Sequence, residues 1–141
     1  MTVYADTSFL VSTYVKDAHF ARVEALLKSG FPIWFTSLHN AEWAHAIAQH
    51  VFRGFLAAAE ADEIYRHLQR DRNAGLWVEA AIPENAFQLC AELARRHGPK
   101  LGMRTLDSLH VACALELKAE RFWTFDDRQA KLARAEGLKT Q

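Results

Sequence analysis

The sequence predicts an α/β protein, a three-layer α/β/α fold in which a short parallel sheet of four or five strands is flanked by helices. Short runs that are apolar throughout, such as Ile33-Trp34-Phe35 and Leu76-Trp77-Val78, alternate with longer segments of helical period. Strands buried on both faces need uninterrupted apolarity, and both faces are buried where helices connect parallel strands. No repeat or low-complexity linker breaks the alternation over 141 residues, about the size of one domain. A single domain over residues 1–141 is expected.

Thr2 to Ala5 reads as the first strand, and Asp6-Thr7-Ser8 supplies capping residues before the apolar Phe9, Leu10, Val11 and Tyr14. Asp17 to Ser29 has Phe20, Val23, Leu26 and Leu27 at helical spacing and is stopped by Gly30 and Pro32. Ile33-Trp34-Phe35 is the second strand. Thr36 and Ser37 cap a helix with Leu38, Ala41, Ala48 and Phe52 on one face, Trp43, Ile47 and Val51 on another, and Glu42 in its early turns. After Gly54, a helix over Phe55 to Arg72 places acids early and arginines late, which complements the helix dipole. Leu76-Trp77-Val78 is the third strand. Pro83 opens a helix carrying Phe87, Cys90, Ala91 and Ala94, which His97-Gly98-Pro99 is expected to end.

A loop from Gly98 to Arg104 would follow, with Arg95, Arg96, Lys100 and Arg104 on or beside it as a basic rim able to hold phosphates. Thr105 then caps a helix through Leu106, Leu109, Ala112, Cys113 and Leu117, with Asp107 in its first turn. Phe122-Trp123-Thr124-Phe125 is the fourth strand and ends at Asp126. Asp127 caps a last helix, Gln129 to Ala135, and Leu138-Lys139-Thr140 is the candidate fifth strand.

Composition excludes several classes. Basic and acidic residues number 17 each, so no strongly basic surface recruits a nucleic acid. A polyanionic ligand would need local attraction. Apolar runs are too short to span a bilayer, and MTVYADTSFL does not read as a secretory signal, so a cytoplasmic protein without membrane contact is expected. Cys90 and Cys113 lack metal spacing and read as buried free thiols, while Trp34, Trp77 and Trp123 read as core.

The acids form the informative pattern. Asp6 and Asp126 each end a strand, and Glu42 and Asp107 each lie in the first turns of a helix, so all four fall on one rim of an open α/β sheet. Crowded carboxylates repel unless a cation separates them. Mg²⁺ or Mn²⁺ suits oxygen donors of this kind, and a site holding one could activate water against a phosphodiester.

Four motifs in order, Tyr4-Ala5-Asp6-Thr7-Ser8, Ala41-Glu42, Arg104-Thr105-Leu106-Asp107-Ser108-Leu109-His110-Val111-Ala112 and Thr124-Phe125-Asp126, carry a resemblance covering essentially the whole chain. The sequence resembles PIN-domain proteins of the VapC type, the toxin ribonucleases of bacterial toxin-antitoxin pairs. The resemblance implies a PIN-like fold and a Mg²⁺-dependent endoribonuclease that cleaves RNA with metal-activated water. It further implies a homodimer and a VapB-like antitoxin whose tail would block the acidic cleft. By the same resemblance Asp6, Glu42, Asp107 and Asp126 become catalytic metal ligands, with Ser8 and Thr124 as supporting hydroxyls. Arg104 and Lys100 are the candidate substrate contacts. Asp127 follows Asp126 directly, but the motif places its acid two residues after the threonine, which selects Asp126.

Other readings stand beside this one. The fold could bind RNA or a protein without cleaving, or it could process RNA without an antitoxin. Glu42-x-x-His45 and Asp107-x-x-His110 echo the paired motif of di-iron bundles, but such bundles are all-helical, whereas Asp6 and Asp126 terminate strands. His45 and His110 are accordingly expected to be packed helix residues.

Overall fold

The computed structural model describes residues 1–141. Short strands and helices alternate as β1 (Val3–Ala5), α1 (Thr7–Tyr14), α2 (Phe20–Leu27), β2 (Ile33–Phe35), α3 (Ser37–Phe52), α4 (Ala58–Asn73), β3 (Trp77–Glu79), α5 (Ala86–Leu101), α6 (Thr105–Glu116), β4 (Arg121–Trp123) and α7 (Asp127–Ala135). The pairs β1–β4 and β2–β3 are both parallel, the pairing that apolar runs joined by helices dictate. The α/β class is therefore as expected. The residues gather into two compact units, residues 1–6 with 81–141 and residues 7–80. No helix is long and apolar enough to cross a membrane.

In the first unit, β1 and β4 pair in the register Val3↔Arg121, Tyr4↔Phe122, Ala5↔Trp123. Tyr4 joins three elements: its ring stacks on Phe122 at 5.6 Å, and its hydroxyl meets Nδ1 of His110 on α6 at 2.7 Å. His110 is thus a packed residue, as expected. Ser108 through Ala114 are all buried, so α6 is enclosed on every side rather than amphipathic, and Leu106 at its start is exposed.

Several boundaries in this unit differ from expectation: α5 begins at Ala86 rather than at Pro83, and β4 ends at Trp123 rather than at Phe125. Helix α5 runs through Gly98 and Pro99 to Leu101, so the expected basic loop shrinks to residues 102–104 and Lys100 belongs to the last helical turn. Tertiary bonds explain this: Arg96 and His97 both bind Glu136 beyond α7, at 2.7 and 2.9 Å, and hold the last turns of α5 in place despite the proline. The true stop is Gly102, whose φ of 63° lies in the left-handed region that glycine adopts most easily, and whose N–H closes on Gly98. The fifth strand reduces to one bridge, Arg121↔Lys139. The N–H of Leu138 is engaged by the Ala133 carbonyl in closing α7, so pairing begins only at Lys139.

In the second unit, β2 and β3 pair from Ile33↔Trp77 to Phe35↔Glu79. The buried stripe of α3 is His39, Trp43 and Ile47, a strict four-residue spacing. Phe52, expected on the apolar face, is exposed. Thr36 does cap this helix, and its N–H donates to His39 Nδ1 at 3.0 Å, which puts the imidazole proton on Nε2. Helix α2 starts at Phe20 rather than Asp17, because Asp17 instead accepts the His19 N–H in a local turn at 2.9 Å. Tyr14 donates to Asp71 at 2.6 Å and accepts from the Trp77 indole at 2.9 Å. Burial, with the Asp71 bond, raises its phenol well above the ordinary range. Trp77 and Trp123 are core residues as expected, whereas Trp34 is half-buried.

Candidate active site

Strand register builds the centre of the site. Ala5 and Trp123 are the last partners of the β1–β4 pair, and the Asp6 N–H donates to the Trp123 carbonyl at 3.0 Å. The ladder therefore continues one step, and the next residues, Asp6 and Thr124, lie abreast with their side chains on the same face. Thr124 Oγ1 is 2.7 Å from Asp6 Oδ2, and both residues are buried.

Thr124 also organises the start of α7. Its hydroxyl accepts the Asp126 N–H at 3.0 Å. Asp126, in extended conformation, is the N-cap: its Oδ1 accepts the Gln129 N–H at 3.0 Å, and α7 begins at Asp127. The cap expected at Asp127 is thus one residue early. Asp127 is exposed on the first helical turn, and the acid two residues after the threonine is the one beside Thr124.

Asp107 stands at the third position of α6, where its Oδ2 accepts the Arg104 N–H at 3.2 Å and lies 3.8 Å from Arg104 Nε. That reciprocal bond makes Arg104 the N-cap in place of Thr105. The Arg104 side chain is otherwise open to solvent, 81% exposed. Lys100 is exposed as well, as is Ser8 on α1.

In the second unit, Glu42 lies half-buried on α3, and its Oε1 accepts the Thr7 hydroxyl at 2.7 Å. Thr7 is buried and follows Asp6 directly in the chain. His45 is exposed, contrary to expectation, and its Nδ1 meets the Ala41 carbonyl at 2.9 Å within its own helix. The paired acid-histidine spacing therefore assembles nothing.

The sequence reading overlooked Gln129, which is 1% exposed. Its Nε2 donates to the Asp107 carbonyl at 3.1 Å, and its Oε1 lies 2.8 Å from Thr124 Oγ1. The signal was present in the pattern: Gln129, Leu132 and Ala133 share one helical face, which puts an amide on the buried side of α7. Through Thr124 and Gln129 the structure links Asp6, Asp107 and Asp126.

The donor set consists of carboxylate and hydroxyl oxygens, the hard ligands that Mg²⁺ and Mn²⁺ prefer. Asp107 and Asp126 each commit one oxygen to a backbone N–H, which fixes the carboxylate while its second oxygen is chemically able to bind a cation. No three His, Cys, Asp or Glu side chains are grouped so as to hold a metal ion between them.

Parallel strand pairs, acids at a strand end and at two helix starts, and a threonine and a glutamine joining them define an α/β protein with an acidic centre. The sequence model for the PIN domain matches residues 3–135, and the chain belongs to that family. Its fold is similar to that of FitAcB from Neisseria gonorrhoeae, with TM-score 0.73 and 16% identity over 99% of this chain and 96% of that one. It is similar to VapBC2 from Rickettsia felis, solved bound to a DNA fragment from its promoter, with TM-score 0.69 and 17% identity over 100% and 98% of the two chains. It is also similar to VapC20 of Mycobacterium tuberculosis, a toxin that cleaves the sarcin-ricin loop, with TM-score 0.69 and 15% identity over 92% and 94%. No curated protein matches the sequence.

Proposed function

We propose that this protein is a Mg²⁺- or Mn²⁺-dependent endoribonuclease, the toxin of a VapBC-type pair, acting as one domain of residues 1–141 and as a homodimer in the cytoplasm. The observation that carries the reading is the buried Asp6–Thr124 pair at the end of β1 and β4, continued to Asp126 and Asp107, in a chain of the PIN family. A threonine hydroxyl held on a buried carboxylate fixes that acid in direction.

Asp6, Asp107, Asp126 and Glu42 would serve as ligands of the cation or as their close supporters. Once bound, it supplies an acidified water and neutralises charge on the phosphate under attack. Thr124 orients Asp6, Thr7 orients Glu42, and Ser8 is close in sequence to both Asp6 and Thr7. Arg104, solvent-exposed beside Asp107, and Lys100 would meet phosphates flanking the scissile one. An antitoxin of the VapB kind would silence the site by covering the acids. The solved VapBC2 and FitAcB structures give that partner class its support.

One second reading stands beside it, a PIN module that binds RNA or protein without cutting it. One experiment separates the two: incubation of antitoxin-free protein with a cellular RNA pool in Mg²⁺, Mn²⁺ or EDTA, beside Asp6→Asn. Metal-dependent fragments that vanish in the variant support the nuclease. Intact RNA retained on folded protein whatever the metal supports the binding module.

A further inference from the structure

Gln129 carries no charge and has no part in hydrolysis by itself, yet it is among the most deeply buried polar residues of the chain. A buried amide must satisfy both its ends, and here both ends lead to the acids. Its backbone N–H holds Asp126 Oδ1 at 3.0 Å, its Nε2 holds the Asp107 carbonyl at 3.1 Å, and its Oε1 faces the Thr124 hydroxyl that lies on Asp6. This side chain, from the first turn of α7, therefore joins the first turn of α6 to the end of β4 and, through Thr124, to Asp6 at the end of β1.

Chemistry fixes which way the amide points. The Asp107 carbonyl can only accept, so the NH₂ end faces it and the oxygen must face Thr124. Thr124 has a single proton, its lone pairs already receive the Asp126 N–H, and two acceptors compete for that proton at 2.7 and 2.8 Å. The carboxylate is the stronger acceptor, so the proton rests on Asp6 while the amide oxygen limits how far the hydroxyl can swing.

We propose that Gln129 is the positioning residue of the acidic site: its amide is the strut that sets the distance from Asp107 to the Asp6–Thr124–Asp126 cluster. This inference rests on the nuclease reading for its consequence and on geometry for its content. The prediction is specific to the donor end. Gln129→Met keeps the length and buried volume and removes both polar ends, whereas Gln129→Glu keeps an acceptor toward Thr124 and sets oxygen against the Asp107 carbonyl.

The test reads three quantities for wild type and both variants. Metal-free crystal structures give the separation of Asp107 from Asp6 and Asp126. Mn²⁺ titration without RNA gives cation affinity, and cleavage kinetics at a temperature where every protein is folded give kcat and KM separately. The strut predicts a wider separation, Mn²⁺ affinity lower by about 10- to 100-fold, and a fall in kcat of similar size with KM altered by less than about twofold. Unmoved acids in Gln129→Met, or Mn²⁺ affinity and kcat within about twofold of wild type, would overturn it. If one variant does not fold, the other still decides. Should wild type neither bind Mn²⁺ nor cleave RNA, the nuclease reading fails by itself, and the metal-free structures alone judge the strut.

Discussion

Replacing Thr124 by valine removes a hydroxyl while preserving the branched shape at Cβ, so little cavity arises and the loss is polar. Two contacts dominate the result. The first is the 2.7 Å bond to the Asp6 carboxylate; bonds to charged groups contribute about 1.5–3 kcal/mol. The second is the 3.0 Å bond from the Asp126 N–H, which would lose its acceptor at a partly buried helix start, costing about 1 kcal/mol. The Gln129 contact adds little, because one proton cannot serve two acceptors at once. The sum is about 2.5–4 kcal/mol, which for a chain of this size lowers Tm by about 8–12 °C. Urea unfolding of metal-free protein measures it, with Thr124→Ser as the control that keeps the hydroxyl and drops only a methyl. A valine variant within about 1 kcal/mol of wild type would refute the claim that this hydroxyl anchors Asp6. Equal losses in the serine and valine variants would assign the effect to packing of the methyl group instead.

Further outcomes follow from the same geometry. Burial pushes the Glu136 carboxyl up, but the bonds from His97 and Arg96 outweigh burial and hold it below the ordinary carboxylate value. A depressed folded pKa adds stability above the unfolded value and loses it as pH falls through the folded one. Glu136→Gln should therefore be less stable than wild type at pH 7 by about 1 kcal/mol, with the gap closing below about pH 4, as denaturation against pH would record. Burial pushes the Cys113 thiol up to about 11 and raises Cys90 as well. At pH 8 about one Cys113 in a thousand is thiolate, so a thiol reagent should label native protein far more slowly than protein in guanidinium. Similar rates in both states would contradict the buried placement. Arg104→Ala should weaken RNA binding alike for all sequences and reduce the salt slope by about one, if the exposed guanidinium meets a phosphate. An unchanged slope would confine Arg104 to its place beside Asp107.

What the sequence disclosed and what it hid separate along a physical line. Strand runs and helix periods depend on local pattern, and β1, β2 and α3 were legible for that reason, as was the cap at Thr36. Local signals misled where a distant bond outweighed them. Gly98-Pro99 is a strong stop by local rules, but Arg96 and His97 reach Glu136, 40 and 39 residues away, and the helix persists to Leu101. The cap of α6 shifted by one residue because Asp107 answers the Arg104 N–H, a reciprocal preference that a search for Ser or Thr caps passes over. The site divides in the same way. Asp6, Asp107 and Asp126 could be picked out as acids at element ends, since charge at a strand exit or a helix start is visible in one dimension. Gln129 could not be picked out so easily, because a glutamine on a helix is ordinary until its neighbours are known. Acids lying on separate elements need something that fixes the spacing between those elements. A neutral amide does so without adding to the repulsion among the carboxylates, whereas a further acid there would raise it and a lysine or arginine would neutralise the charge a cation must meet. In a site of this design the residues that carry charge are legible from the chain, whereas the pattern shows only that the residue that spaces them lies on a buried face, and the fold shows what it spaces.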